Sequence, residues 1–146
     1  MAAIIDPSKL FEIACGLALL VLTGTARAES DYIAAEDLEA ALAQANQPLI
    51  IDVRSPAEFA AGHVPGALSL PILSFPGAIS GIPGGKTQTI VVYCEKGPRA
   101  SLAKAALSLS GYPHVKYLHG HMQAWRAAGR RLARPPVVLH SPGRHR

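Results

Sequence analysis

Cysteine is scarce: the 146 residues contain two, Cys15 and Cys94. A single pair cannot form the framework of bridges on which small disulfide-stapled domains depend. Acidic residues stop at Glu95, and everything after it carries cations alone. Aromatic residues make up only 5% of the chain, and none interleaves with a basic run. Nucleic acid is therefore not expected as a partner, because no aromatic-interleaved basic patch or recognised binding motif is present. No apolar run reaches the ~20 residues that a bilayer-spanning helix needs. His119 and His121 alternate around a glycine but have no third ligand at suitable spacing, so no metal site is assigned to them.

The longest apolar run, Ile13 to Leu22, has the length of an export-signal core. Thr25-Ala26-Arg27-Ala28 follows it with the small-x-small pattern of a cleavage site. The expectation is that residues 1–28 form a signal peptide and that the protein is exported, to the periplasm in a bacterium. A membrane contact is expected only if this segment stays uncleaved. Lys9 is outweighed there by Asp6 and Glu12, which leaves an uncleaved anchor as the alternative. Cleavage after Ala28 leaves 118 residues, enough for one domain with its own core. It also leaves Cys94 as the sole cysteine, an unpaired thiol in an oxidising compartment. The remaining chain carries twelve Lys and Arg against eight Asp and Glu, which favours small anionic ligands or an acidic partner surface.

Cys94 stands at the end of a β-branched and aromatic run, Ile90 to Tyr93, and just before the Ala/Leu-rich pattern that starts at Pro98. This reads as a buried strand, a tight turn and a helix. Gly97 permits a backbone angle that other residues resist, and Pro98 suits a first helical turn. The turn's N–H groups then converge on one point, a cradle for anions. A helix N-terminus, with Lys96 and Arg99, favours the thiolate form of Cys94, while Glu95 works against it. The duller alternative is a buried structural cysteine at a strand end.

Cys94-Glu95-Lys96-Gly97-Pro98-Arg99 resembles the active-site loop of rhodanese-type sulfurtransferases, a Cys and an Arg separated by four residues. Two further stretches are similar to that family's signatures in the family's order. One is Ile51-Asp52-Val53-Arg54-Ser55-Pro56-Ala57-Glu58-Phe59 with Gly62-His63-Val64-Pro65-Gly66-Ala67. The other is Leu118-His119-Gly120-His121-Met122-Gln123-Ala124-Trp125 with Gly129. The resemblance departs at His121, where the family often has a second glycine, and at Ser69, where Asn or His is frequent.

The resemblance implies an α/β fold, a rhodanese-like three-layer domain with a mainly parallel sheet covered by helices on both faces. Strands alternating with helices point the same way. Helices are expected over Ala34 to Ala45, Pro56 to Ala61 and Arg99 to Leu109. Strands are expected over Leu49 to Val53, Ala67 to Leu70, Ile90 to Tyr93 and Val115 to Leu118. Residues 71–89, rich in Pro and Gly, read as a loop with at most one helical turn that walls the pocket or forms a surface excursion. The domain is expected to span residues 29–131, followed by a solvated basic tail over 132–146 in which Val137-Val138-Leu139 can dock.

The implied reaction moves a sulfane sulfur from a small anionic donor such as thiosulfate, through a Cys94 persulfide, to a thiol or cyanide-like acceptor, with a protein as a further acceptor class. The backbone N–H groups of Glu95, Lys96, Gly97 and Arg99 are expected to hold the persulfide charge, Pro98 having none to give. Lys96 and Arg99 are expected to attract the donor, and Asp52 and Arg54 to support the loop, with Arg54 near enough to Glu58 to pair with it. His63 reads as a turn or core residue and Trp125 as packing for the last helix. No metal or organic cofactor is implied. Two other readings stay open: a non-catalytic rhodanese-like binding module, and a cysteine-dependent phosphatase or arsenate reductase. The phosphatase loops, however, have five intervening residues and a larger cradle.

Overall fold

A computed structural model describes residues 30–135; the proposed signal segment, Cys15 and the tail from residue 136 on lie outside the described residues. The chain runs through β1 (Tyr32–Ile33), α1 (Ala35–Leu42), β2 (Leu49–Asp52), α2 (Pro56–Ala61), β3 (Leu68–Ser69), α3 (Phe75–Ala78) and a 3-10 turn (Ile79–Gly81). It continues through β4 (Ile90–Tyr93), α4 (Pro98–Leu109), β5 (Val115–Leu118) and α5 (His121–Ala127). The five strands make one sheet in the order β1-β5-β4-β2-β3, and every pairing is parallel. The expected three-layer α/β architecture is the observed one.

Pleating explains how short runs with almost no polar residue serve two cores at once, because successive side chains leave a strand on opposite faces. Ile51, Val53, Ile90, Val92 and Cys94 join the face covered by α4 and α3, through Ala100, Ala103, Leu107 and Phe75. Ile50, Val91, Tyr93 and Leu118 join the other, beneath Leu38 of α1 and Met122 and Trp125 of α5. Helix starts are also legible locally. Ser55 caps α2 reciprocally with Glu58, and Pro56 begins that helix.

Strand order then locates the site. The connection after β2 leads outward to β3, and the chain next returns to β4 on the other side of β2 before moving outward again to β5. The switch point of the sheet lies between the carboxyl ends of β2 and β4, where parallel sheets leave a crevice for ligands. Asp52 and Tyr93 are register partners there, so Asp52, Arg54 and Cys94 flank that crevice.

Three features differ from the sequence reading. Tyr32–Ile33 forms an additional edge strand paired with Tyr117 and Leu118. Phe75, Ile79 and Ile82 of the 71–89 segment are buried, so that segment is anchored in the core around α3 and the 3-10 turn that continues it, more helix than the single turn expected. The domain also extends past residue 131. Leu132 packs on the second core, Ala133 exchanges backbone hydrogen bonds of 3.0 and 2.9 Å with His63, and Arg134 Nε donates to Ala61 O at 3.0 Å. Leu132 and Ala133 are half-buried there, while Arg134 is exposed and reaches the end of α2 through its hydrogen bond.

Candidate active site

Cys94 leaves the central strand directly into the turn that starts α4, and its residue surface is 1% exposed. The backbone N–H of Gly97 donates to Cys94 Sγ at 3.0 Å. This contact depends on the Gly97 backbone at φ +137, a region side chains disfavour. Pro98 then opens the 12-residue helix α4 with no backbone N–H to lose. The sulfur thus sits at the positive end of the helix dipole, where negative charge is stabilised. Cys94 is the free cysteine among the described residues.

Beneath the loop lies a buried ion pair. Arg54 Nε donates to both Asp52 oxygens at 3.0 and 3.1 Å, Arg54 Nη2 to Asp52 Oδ2 at 2.7 Å, and the Arg54 backbone N–H to Oδ1 at 2.9 Å. The same guanidinium donates to Gly62 O at 2.9 Å, lies 5.7 Å from the centre of the Tyr93 ring and stands 3.6 Å from the Glu95 carboxylate. One side chain thereby joins the end of β2, the turn after α2 and the cysteine loop. Burial alone would lower the Arg54 pKa, but the hydrogen bond and charge of Asp52 raise it, so the guanidinium keeps its charge. Tyr93 has its hydroxyl pKa raised by burial and by Asp52, and that hydroxyl accepts from Val64 N at 3.1 Å.

Two expected roles change. Arg54 does not pair with Glu58; Arg99 does, through two hydrogen bonds of 2.7 and 2.9 Å, both side chains being about one-third exposed. The α2 capping box already fixes Glu58 at the helix start, facing the first turn of α4, and Arg99 meets it there. The Arg99 hydrogen bonds lower the Glu58 pKa to about 2. A depressed carboxylate contributes stability above its ordinary pKa and loses it as pH falls toward 2, so this link persists through mild acid. Arg99 thus pairs with Glu58 and also reaches the cavity beside it. Glu95, expected to oppose the loop's cations, is held by Arg126 and faces Arg54. Lys96 remains exposed, with no acidic partner among the described residues.

A cavity of about 290 Å³ opens beside this assembly, walled by Val53, Arg54, Pro56, Ile72, Leu73 and Arg99. Ile72 and Leu73, at the start of the 71–89 segment, line this cavity, Leu73 being 96% exposed, whereas none of Cys94–Pro98 does. His63 takes the turn role: its ring stacks on Phe59 at 3.6 Å, and Nδ1 is 2.9 Å from Phe59 O. Trp125 is buried, with Nε1 donating to Arg131 O at 3.0 Å. His119 faces the Tyr32 ring, whereas His121 turns under the cysteine loop, so the two imidazoles occupy different surroundings. The Arg99–Glu58 link joins residues 41 apart, and no local signal announces it.

A family model for the rhodanese-like domain matches residues 34–128. A sulfurtransferase of Allochromatium vinosum is 39% identical over 103 residues, covering 70% of this chain and 94% of that protein. The thiosulfate sulfurtransferase PspE of Escherichia coli is 37% identical over 70 residues, covering 48% of this chain and 67% of its own length. Among solved structures, the human single-domain sulfurtransferase TSTD1 superposes with a TM-score of 0.61 at 24% identity, covering 67% of this chain and 96% of that one.

Proposed function

The chain belongs to the rhodanese-like domain family, and from that premise we propose that it transfers a sulfane sulfur through a Cys94 persulfide, with thiosulfate as donor and a thiol or cyanide as acceptor. The observation that carries the proposal is the 3.0 Å hydrogen bond from Gly97 N–H to Cys94 Sγ at the N-terminus of α4. That donor and the helix dipole stabilise a thiolate, and equally the terminal sulfur anion of a persulfide. The Cys94 thiolate attacks the outer sulfur of thiosulfate, the S–S bond breaks, and sulfite leaves with the bonding pair. An acceptor thiolate or cyanide then attacks the outer persulfide sulfur and returns Cys94 as thiolate. Charge is conserved in both steps, and no redox partner is needed. The relatives named as sulfurtransferases support the class of reaction.

Intact mass of the protein after incubation with thiosulfate tests this reading. The expected result is a gain of one sulfur atom that cyanide removes. A mass unchanged by thiosulfate and by other sulfane donors would leave the domain as a binding module.

Donor preference follows from the one cation on the loop that is not committed elsewhere. Lys96 is exposed, and thiosulfate carries two negative charges, so their attraction is long-ranged and screened by salt. Thiosulfate should be used in preference to the singly charged mercaptopyruvate. Lys96→Ala should lower kcat/KM for thiosulfate about 2- to 5-fold at low ionic strength, with the difference shrinking in high salt. Steady-state rates with both donors decide it, and a thiosulfate rate indifferent to both mutation and salt would remove Lys96 from the reaction.

A further inference from the structure

His121 occupies a position that nothing in the reaction above uses, and its geometry is costly. It is 8% exposed and has φ +52, among the described residues the one non-glycine side chain in the left-handed region. Gly120 before it is also left-handed, so the chain makes two such turns in succession before entering α5. A strained conformation of this kind persists only where its surroundings impose it. Two backbone hydrogen bonds tie this junction to the cysteine loop. Met122 N–H donates to Cys94 O at 3.0 Å and Gln123 N–H to Glu95 O at 3.2 Å. The imidazole closes the same junction: Cys94 N–H donates to His121 Nδ1 at 3.5 Å. On the other side of the ring, a Cβ placed on Gly97 would lie 3.3 Å from His121 Nε2. The imidazole therefore reaches both the nucleophile's own backbone and the glycine whose N–H holds the sulfur.

We propose that His121 is a positioning residue for the nucleophile, its neutral imidazole accepting the Cys94 backbone N–H and filling the space beside Gly97 so that the loop keeps its donor on the sulfur. An Nδ1 acceptor requires the neutral tautomer with its proton on Nε2. Protonation fills Nδ1, removes the acceptor and sets a cation against the Cys94 N–H.

The surroundings favour the neutral form. Burial, and then the nearby His119, lower the His121 pKa below its ordinary value. From β5 the Tyr117 ring meets His121 edge-on at 6.2 Å, and the Lys104 ammonium of α4 lies 4.7 Å from the centre of that same ring. On the loop stand Cys94, Glu95 and Lys96, with the Glu95 carboxylate drawn to Arg126 of α5 and to Arg54. Burial and His119 both disfavour the charged ring, so the neutral acceptor form is the favoured one.

The test uses the whole chain in amide-resolved NMR across a pH series. In the parent, the Cys94 amide resonance should titrate in step with the His121 imidazole, at a pH below the ordinary histidine range. His121→Gly removes the acceptor while relieving the backbone, so the titration at Cys94 should vanish and the thermal midpoint should hold or rise. His121→Asn tolerates the left-handed backbone and returns an acceptor that does not titrate. Its Cys94 amide should be pH-independent. This placement rests on the sulfur-transfer reading only for its kinetic arm. There, persulfide formation at pH 7 should fall about 3- to 10-fold in His121→Gly and recover in His121→Asn, the size of one hydrogen bond. A Cys94 amide in the parent that ignores the His121 titration, or a His121→Gly rate equal to the parent's, would overturn the proposal. If thiosulfate leaves no adduct on the parent, it is the sulfur-transfer reading that fails, and the amide titration alone upholds or overturns the role of His121.

Discussion

Cys94→Ser is expected to abolish the sulfur adduct and all turnover while leaving the fold in place. The loss should be complete to the limit of detection, because the reaction needs a group that is both anionic at neutral pH and able to bond to sulfur. A serine hydroxyl is neither at this pH, and a hydrogen bond such as that from Gly97 N–H cannot ionise an alcohol. The structural cost is small. The serine oxygen is slightly smaller than sulfur and still accepts from Gly97 N–H, so the turn keeps its internal hydrogen bond. Thermal unfolding should move by a few degrees at most, and the comparison with intact mass separates chemistry from folding. A Cys94→Ser protein that still carries sulfur from thiosulfate to cyanide would remove the persulfide from the mechanism.

How far this site was legible from residues alone depended on how local each feature is. Ile90–Tyr93, Gly97 and Pro98 announce strand, turn and helix start within nine residues, and the structure places Cys94 at their junction. Asp52 and Arg54 are two residues apart at a strand end, and their pairing is equally local. Tyr32–Ile33 went unread because two residues carry no periodicity, and only the register with Tyr117 and Leu118 makes them a strand. The remaining misses are all long-range. Arg99 reaches Glu58 across 41 positions and His121 reaches Cys94 across 27, so a reading that pairs neighbours assigns Arg54 to Glu58 and leaves Arg99 free. His121 did carry one sign, a bulky side chain at a position where the resemblance leads one to expect glycine. Its left-handed backbone is the physical content of that sign. Leu132–Arg134 likewise dock through contacts to Ala61 and His63 that a composition rich in arginine and proline conceals.

The largest effect on stability is expected at Asp52. Asp52 is fully buried and Arg54 is 2% exposed, so the carboxylate is the main compensation for a guanidinium held out of water. In Asp52→Ala that charge keeps only Gly62 O at 2.9 Å, the Tyr93 ring and the more distant, half-buried Glu95. An uncompensated buried charge of this kind costs ~3–5 kcal/mol. For a domain near 100 residues, each kcal/mol moves the thermal midpoint by roughly 4–8 °C, so the midpoint should fall by about 12–40 °C. Removing both charges separates two roles of the pair. In Asp52→Leu with Arg54→Leu no buried charge remains, and apolar replacements of buried pairs are often neutral, so more than half of the lost midpoint should return. Activity should not return with it. Arg54 alone links the end of β2 to Gly62 and to Glu95 on the cysteine loop, and no leucine supplies those directional contacts. The double variant should therefore be folded but slow, with kcat/KM for persulfide formation well below the parent's at a temperature where both are native. A double variant that recovers both properties would make the pair a packing device with no hold on the loop, and one that recovers neither would mean that its hydrogen bonds, more than its charge balance, maintain the switch point of the sheet.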